Sequence, residues 1–173
     1  MTLPFAHDTA APVVAPLASK PAARSIALVC AKGGLDECYP VLIMANAARM
    51  SGIECHIFFT FWGLDVITES RVDHLHVNLV GNPSSPVPTM VAGLPGVERA
   101  AALLMAKEME RLELPGPREM VHILAESGCK LYGCELAMKM FRRTKEDLLP
   151  EVEAVITATD FFDLTTGADI IFV

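Results

Sequence analysis

The stretch GCKLYGCELAMKMF, residues 128–141, predicts a short strand that passes directly into a helix. Leu131 and Tyr132 favour a strand, and Gly133 loosens the turn that follows. Residues 135–141 are good helix formers with apolar side chains at helical spacing. Cys134 is therefore predicted to lie at the carboxyl end of a strand, at or just before a helix N-terminus.

Cys134 is the candidate nucleophile of the chain. Unpaired backbone N–H groups and the positive end of the helix dipole favour an anion at such a position. A thiolate held there is the attacking form of cysteine. Glu135 opposes a negative sulfur unless its side chain points into solvent. The alternative is that Cys134 is only packed in the core, because free cysteine is among the most often buried residues.

The rest of the chain alternates predicted strands with predicted helices. Apolar runs predict strands at 25–31, 54–60, 76–80, 152–157 and 168–173, and helices are predicted at 36–50, 97–112, 117–127 and 160–166. This alternation specifies right-handed crossovers and a parallel sheet. We therefore expect an α/β fold whose mainly parallel sheet has about five strands.

Two segments are predicted to lie outside this regular pattern. Residues 1–24 are rich in alanine and proline without a period, which predicts a flexible tail before a single domain at 25–173. Residues 81–96 contain four prolines. A loop of this length inside a compact domain is usually functional, so we expect a lid or docking surface near the reactive edge.

Composition narrows the possible partners. The chain of 173 residues has a formal net charge of −7 and a mean hydropathy of +0.39. The absence of a basic run argues against nucleic acid. No apolar run suits a membrane-spanning helix and no signal peptide is apparent, so we expect a cytoplasmic protein with reduced thiols. The uncharged helix at 38–48 predicts a closed homo-oligomer, with this helix or the one after Glu135 in the contact.

Two further residues are predicted at the same sheet edge as Cys134. Cys38 falls in the first turn of the first helix and is a possible second thiol, with burial as the alternative. Lys32 lies in the loop after the first strand and could hold an anionic sulfur group or remain a solvated lysine. Ligands of open α/β sheets bind at this carboxyl edge.

The other cysteines are predicted to pack in the core. Five strand steps of about 3.3 Å put the Cα atoms of Cys129 and Cys134 roughly 16 Å apart, whereas a disulfide needs about 4.4–6.8 Å. Cys30 and Cys55 lie within predicted strands. Neither the cysteines nor the histidines show the spacing of a metal site, and no phosphate-binding loop is present, so we predict no metal and no cofactor.

Several short motifs together resemble the DsrE/DsrF-like sulfur-relay family, in particular its second DsrE subgroup, sometimes labelled peroxiredoxin-like. The motifs are AKGGLD at 31–36, YP at 39–40, FFTFWGL at 58–64, GNP at 81–83, LPG at 94–96 and LYGC at 131–134 followed by Met138. They span nearly the whole predicted domain. Relatives often have serine where this chain has Ala137, so a hydroxyl group near the thiol is missing here.

The resemblance implies a three-layer α/β/α fold with flavodoxin-like wiring, usually assembled as a homo-oligomer. It also implies a cytoplasmic sulfur carrier or sulfurtransferase that binds sulfane sulfur on Cys134 as a persulfide or thiosulfonate. The implied partners are a TusA-like small carrier and a rhodanese-type enzyme. Two other classes stay open: a scaffold in which Cys134 is only packed, and a thiol redox protein that responds to peroxide.

Overall fold

The computed structural model describes residues 24–79, 88–92, 94 and 96–173. The strands are β1 (Ser25–Cys30), β2 (Glu54–Phe59), β3 (Lys130–Cys134), β4 (Ala154–Ile156) and β5 (Asp169–Phe172). The α-helices are α1 (Leu35–Met50), α2 (Thr89–Ala92), α3 (Val97–Arg111), α4 (Pro117–Glu126), α5 (Glu135–Met140) and α6 (Ala158–Leu164), and short 3₁₀ helices cover Phe61–Ile67, Val72–His74 and Lys145–Asp147.

The five strands form one sheet in the order β4-β3-β2-β1-β5, and every pairing is parallel. The predicted α/β fold class is confirmed. The order differs from the 2-1-3-4-5 order of flavodoxin-like sheets that the resemblance implied. Strands β1 to β4 are adjacent in chain order across the sheet, and β5 pairs with the other side of β1.

The two faces of the sheet are covered unequally. Right-handed crossovers place the helices between β1 and β4 on one face, here called the α1 face, and α6 on the other, the α6 face. On the α6 face, the ring of Phe161 stacks on Phe58 with centroids 4.8 Å apart. Towards β5 this face is open: Ile170 and Phe172 are 48% and 72% exposed.

The prediction of a strand at 76–80 is wrong for residues 76–79, which are the ones that the structure describes. Residues 75–79 have no regular secondary structure. Leu75, Val77 and Leu79 are buried, so the alternation in the sequence reflects real burial. The segment packs against the start of α1 instead of joining the sheet: the Leu35 N–H group donates to the His76 carbonyl oxygen at 2.8 Å.

Two other predicted segments are described only in part. The predicted tail lies outside the described residues except for Arg24, whose guanidinium forms an ion pair with Asp169. Within the predicted loop at 81–96, residues 81–87, 93 and 95 lie outside the described part. The remainder contains the short helix α2, and Ala92 at its end is fully buried.

The loops after β1 and β2 pack backbone against backbone, and two glycines permit this approach. A Cβ atom on Gly63 would lie 2.1 Å from the Cys30 carbonyl oxygen, and one on Gly33 would lie 2.3 Å from the Trp62 carbonyl oxygen. The Gly63 N–H group also donates to the Ala31 carbonyl oxygen at 3.2 Å. The two loops are thereby fixed against each other at the carboxyl edge.

Gly63→Ala should therefore destabilise the protein. The added methyl group has no space, so the backbone must move, and overpacking of this kind costs about 1–3 kcal/mol. Chemical denaturation monitored by circular dichroism would measure the change in the free energy of unfolding. Gly116→Ala is the matched control, because a Cβ atom there meets nothing within 4 Å. Equal stability of the two variants would show that the loops are not tightly packed.

Candidate functional site

Cys134 lies where the sequence predicts it, as the last residue of β3 and the residue that precedes α5. Its backbone pairs with Ile156, so both neighbouring strands β2 and β4 hold β3 up to its carboxyl end. The side chain is 6% exposed. The thiol is therefore close to the surface of the carboxyl edge but not freely accessible in this conformation.

Strand alternation places Cys134 on the α6 face, two residues beyond Tyr132. Tyr132 packs on that face against His56 and, edge to face, against Phe161 with ring centroids 6.2 Å apart. Ile156, the register partner of Cys134, is followed at once by Thr157, which caps α6. The thiol thus has an apolar layer beneath it and the start of α6 beside it.

The charge of Glu135 is balanced within the helix itself. Its carboxylate forms an ion pair with Lys139, one turn further along α5. A carboxylate neutralised in this way opposes a thiolate on Cys134 less than an unpaired one. The helix has only six residues, so its dipole is small, and the first backbone N–H groups contribute most of the local positive potential.

Lys32 lies at the predicted carboxyl edge, but it is separated from Cys134. Strand β2 lies between β1 and β3, so two strand spacings of about 4.8 Å separate the ends of these strands. The Lys32 ammonium group is paired with the Glu37 carboxylate at 3.4 Å, and its side chain is 61% exposed. The structure therefore does not bring Lys32 and Cys134 together.

Cys38 is fully buried beneath the first turn of α1. Its thiol donates to the Leu35 carbonyl oxygen at 3.5 Å. Burial raises the pKa of Cys38, and the nearby Cys30, Asp36 and Glu37 raise it further. Cys38 stays protonated and inaccessible at neutral pH in this conformation. Its proposed role as a second functional thiol would require the start of α1 to open.

Cys30 has a similar environment at the end of β1. Burial raises its pKa to about 12, against a weaker opposing effect of a hydrogen bond to the Lys32 carbonyl oxygen. Cys55 and Cys129 are also buried, as predicted. They lie at the opposite, amino edge of the sheet.

An open cleft of about 620 Å³ lies at the carboxyl edge between the loops after β1 and β2. Lys32, Trp62, Arg71 and His76 contribute to its lining, and Cys134 is not among the residues that line it. The basic side chains are offset by the acidic Glu37, Asp65 and Glu98. The cleft therefore has mixed charge and no single polarity that would select an anion.

Sequence reasoning missed the aromatic side chains at this edge. Phe61 has a φ of 46°, a left-handed conformation that costs a non-glycine residue of order 1–3 kcal/mol. The strained turn exposes 60% of Trp62. The Trp62 ring packs on Phe141, just after α5, with centroids 4.9 Å apart. The signal available in the sequence was the FFTFWGL motif, which the resemblance used without assigning it a role.

The described residues, 24–79, 88–92, 94 and 96–173, contain neither a metal-binding cluster nor a membrane-spanning helix. No group of three or more histidine, cysteine, aspartate or glutamate side chains among these residues could hold a metal ion. In the same part of the chain, no helix is both long enough and apolar enough to span a membrane.

The fold and the thiol together define an α/β protein with a candidate reactive cysteine at the carboxyl edge of a parallel sheet. A family model described as DsrE/DsrF/DrsH-like matches residues 22–173. The chain therefore belongs to the DsrE/DsrF/DrsH-like family, and the predicted resemblance is confirmed.

Two known proteins are similar to this chain. The sulfur carrier protein DsrE2 of Allochromatium vinosum is 28% identical over 155 residues, which cover 85% of this chain and 96% of that protein. A solved structure, a protein of unknown function from Methanobacterium thermoautotrophicum, is 12% identical with a TM-score of 0.44, over 87% of this chain and 99% of the other.

Cys134 should be alkylated faster than Cys30 and Cys38 at neutral pH. The latter two are more deeply buried and their pKa values are raised, so their thiolate fractions are small. Brief treatment of the folded protein with iodoacetamide, followed by trypsin and mass spectrometry, would measure this. Cleavage after lysine and arginine separates the three cysteines into peptides 131–139, 25–32 and 33–49. Faster labelling of peptide 33–49 would instead support Cys38 as the reactive thiol.

Proposed function

We propose that this protein is a sulfur carrier in which Cys134 accepts sulfane sulfur and passes it to a partner protein. The observation that carries the proposal is the position of Cys134 at the carboxyl end of β3, where α/β sheets bind ligands. The name of the Allochromatium vinosum relative supports the assignment of sulfur as the cargo.

The proposed chemistry is thiolate attack on a sulfur–sulfur bond. With a persulfide donor R–S–SH, the Cys134 thiolate attacks the outer sulfur, the S–S bond breaks and R–S⁻ leaves, so the product is a Cys134 persulfide. With tetrathionate, the same attack releases thiosulfate and leaves a sulfonated sulfur on Cys134. A partner thiolate then attacks the terminal sulfur of the persulfide, and Cys134 leaves as the thiolate.

Unprotonated sulfur species carry negative charge, and the surroundings of Cys134 accommodate it. The backbone N–H groups at the start of α5 point towards the edge. The ion pair of Glu135 with Lys139 weakens the repulsion from the neighbouring carboxylate. Neither Lys32 nor the mixed-charge cleft is needed for this step, so backbone groups are the proposed stabilising elements.

The proposed partners follow from the family. A TusA-like small carrier and a rhodanese-type sulfurtransferase would supply or receive the sulfur, and the location would be cytoplasmic. Phe61 and Trp62, both exposed at the carboxyl edge, offer an aromatic surface on which such a partner could dock. Whether the protein itself accelerates the transfer or only carries the sulfur depends on the partner.

Cys134→Ser should abolish sulfur loading and keep the fold, because serine is nearly isosteric and cannot form a persulfide. Incubation with polysulfide or tetrathionate, followed by intact-mass spectrometry, would detect the adduct. Cys129→Ser is the matched control, since this thiol lies at the other edge of the sheet, and its peptide 131–139 should load like that of the parent protein.

The adduct also separates the alternative functions. A carrier gains sulfur on peptide 131–139, a peroxide-responsive protein gains oxygen or a disulfide when treated with peroxide, and a scaffold gains neither. Undiminished loading of Cys134→Ser, or an adduct located mainly on Cys38 or Cys129, would contradict the proposal.

We further propose a homo-oligomer that uses the outer side of α1 or of α5. Ile43, Met44 and Met50 are exposed on α1, and Leu136 and Met140 on α5. Residues at this helical spacing form apolar stripes that monomeric proteins rarely leave uncovered.

Light scattering coupled to size exclusion should give a mass that is a multiple of 18.7 kDa. Ile43→Glu should lower this mass if α1 forms the contact, and Leu136→Glu should do so if α5 forms it, because each places a charge in an apolar interface. Asn46→Glu, on α1 between the buried and exposed positions, serves as a charge control. A monomeric parent protein at micromolar concentration would contradict the proposal.

A further inference from the structure

The sheet brings together two cysteines that are distant in the sequence. The register of β2 and β3 pairs His56 with Lys130, so Cys55 and Cys129, one residue earlier on each side, face each other. Each side chain lies close enough to shift the pKa of the other. Neighbouring strands lie about 4.8 Å apart, which falls within the Cα separation of about 4.4–6.8 Å that a disulfide requires. The spacing of the two strands is therefore compatible with a disulfide between this pair.

The pair also has a local positive charge. Arg49 lies at the end of α1, and its guanidinium bridges the entries to both strands: it donates to the Ile53 carbonyl oxygen at 3.0 Å and to the Ser127 carbonyl oxygen at 2.7 and 2.9 Å. Interaction with the Cys129 side chain, aided by Arg49 and opposed by burial, lowers the pKa of Cys55. Interaction with Cys55, together with burial, raises the pKa of Cys129.

Two thiols that interact in this way lose their protons in two separate steps. The opposite directions of the two pKa shifts favour Cys55 as the first to ionise. Cys30 and Cys38 differ from Cys55 in this respect. Burial raises the pKa values of both, and no arginine lowers them. Cys55, at the amino edge of the sheet, is therefore a better attacking thiol than Cys30 or Cys38.

Both cysteines of the pair are buried, but an exposed turn directly precedes Cys129 in the chain. Cys55 is 0% and Cys129 4% exposed. The turn formed by Ser127 and Gly128 is exposed and directly precedes Cys129. Gly128 has a φ of 85°, and a Cβ atom on it would lie 3.0 Å from the Arg49 guanidinium. Loops and turns of this kind open locally without global unfolding.

We propose that Cys55 and Cys129 are a redox-active dithiol that closes to a disulfide between β2 and β3 by exchange with a small-molecule disulfide. The Cys55 thiolate attacks one sulfur of R–S–S–R, forming a mixed disulfide and releasing R–S⁻. Cys129 then loses its proton to solvent and attacks the Cys55 sulfur, which releases the second R–S⁻. Two electrons pass from the cysteines to the reagent, which leaves as two thiols.

The proposal is independent of the sulfur-carrier function, because it uses no residue of the carboxyl edge. Cys134→Ser removes the proposed sulfur acceptor and should leave this exchange unchanged. Cys55→Val and Cys129→Val each prevent closure of the disulfide and should leave sulfur loading of Cys134 unchanged. The two proposals can therefore fail separately.

The test treats the reduced full-length protein with oxidised glutathione at pH 7, blocks the remaining thiols, and digests it with trypsin without reduction. Cys55 and Cys129 fall in peptides 50–71 and 119–130. A cross-link between these two peptides should be the main disulfide, and dithiothreitol should reverse it. Because the parent protein is mapped directly, this result does not depend on whether any variant folds.

The variants test the order of the steps. Cys129→Val should accumulate glutathione on peptide 50–71, whereas Cys55→Val should be modified on peptide 119–130 about tenfold more slowly. Cys30→Val is the matched control for loss of a buried thiol and should still cross-link. The proposal is overturned if Cys30 and Cys38 form the main disulfide, if glutathione stays on Cys55 of the parent protein without closure, or if the pair stays reduced while Cys134 is modified.

Discussion

The structure depends on the parallel pairing of β3 with strands on both of its sides. The register places Lys130 beside His56 and Cys134 beside Ile156. A shift of one residue would move Cys134 from the α6 face to the α1 face and separate Cys129 from Cys55. The position of each thiol follows from this ladder.

Much of the architecture could be predicted because it is encoded locally. The apolar runs of β1 and β2 and the strand-to-helix passage at Cys134 are properties of short segments, and the structure has all three. The segment 76–79 shows the limit of this reasoning. Its alternating burial is real, but alternation does not say whether a segment is covered by a strand or by the end of a helix.

The site was predicted less completely, because it depends on the order of strands and on their register. Lys32 and Cys134 both follow strands and share an edge, yet β2 lies between them, and the sequence contains no direct signal of that order. Conversely, Cys55 and Cys129 have no recognisable spacing in the sequence, and only the pairing of β2 with β3 makes them neighbours. Spacing arguments hold within one element and fail between elements.

The thiols at the two ends of β3, Cys129 and Cys134, are too far apart to react with each other. A persulfide on Cys134 is open to attack by any thiolate that reaches it. The nearest cysteine along the strand, Cys129, is about 16 Å away at the strand rise of about 3.3 Å per residue, so it cannot attack within the same chain. Cys30 and Cys38 share the carboxyl edge, but burial raises their pKa values and keeps them protonated. A sulfur atom proposed to load on Cys134 would therefore remain there until a partner thiolate arrives.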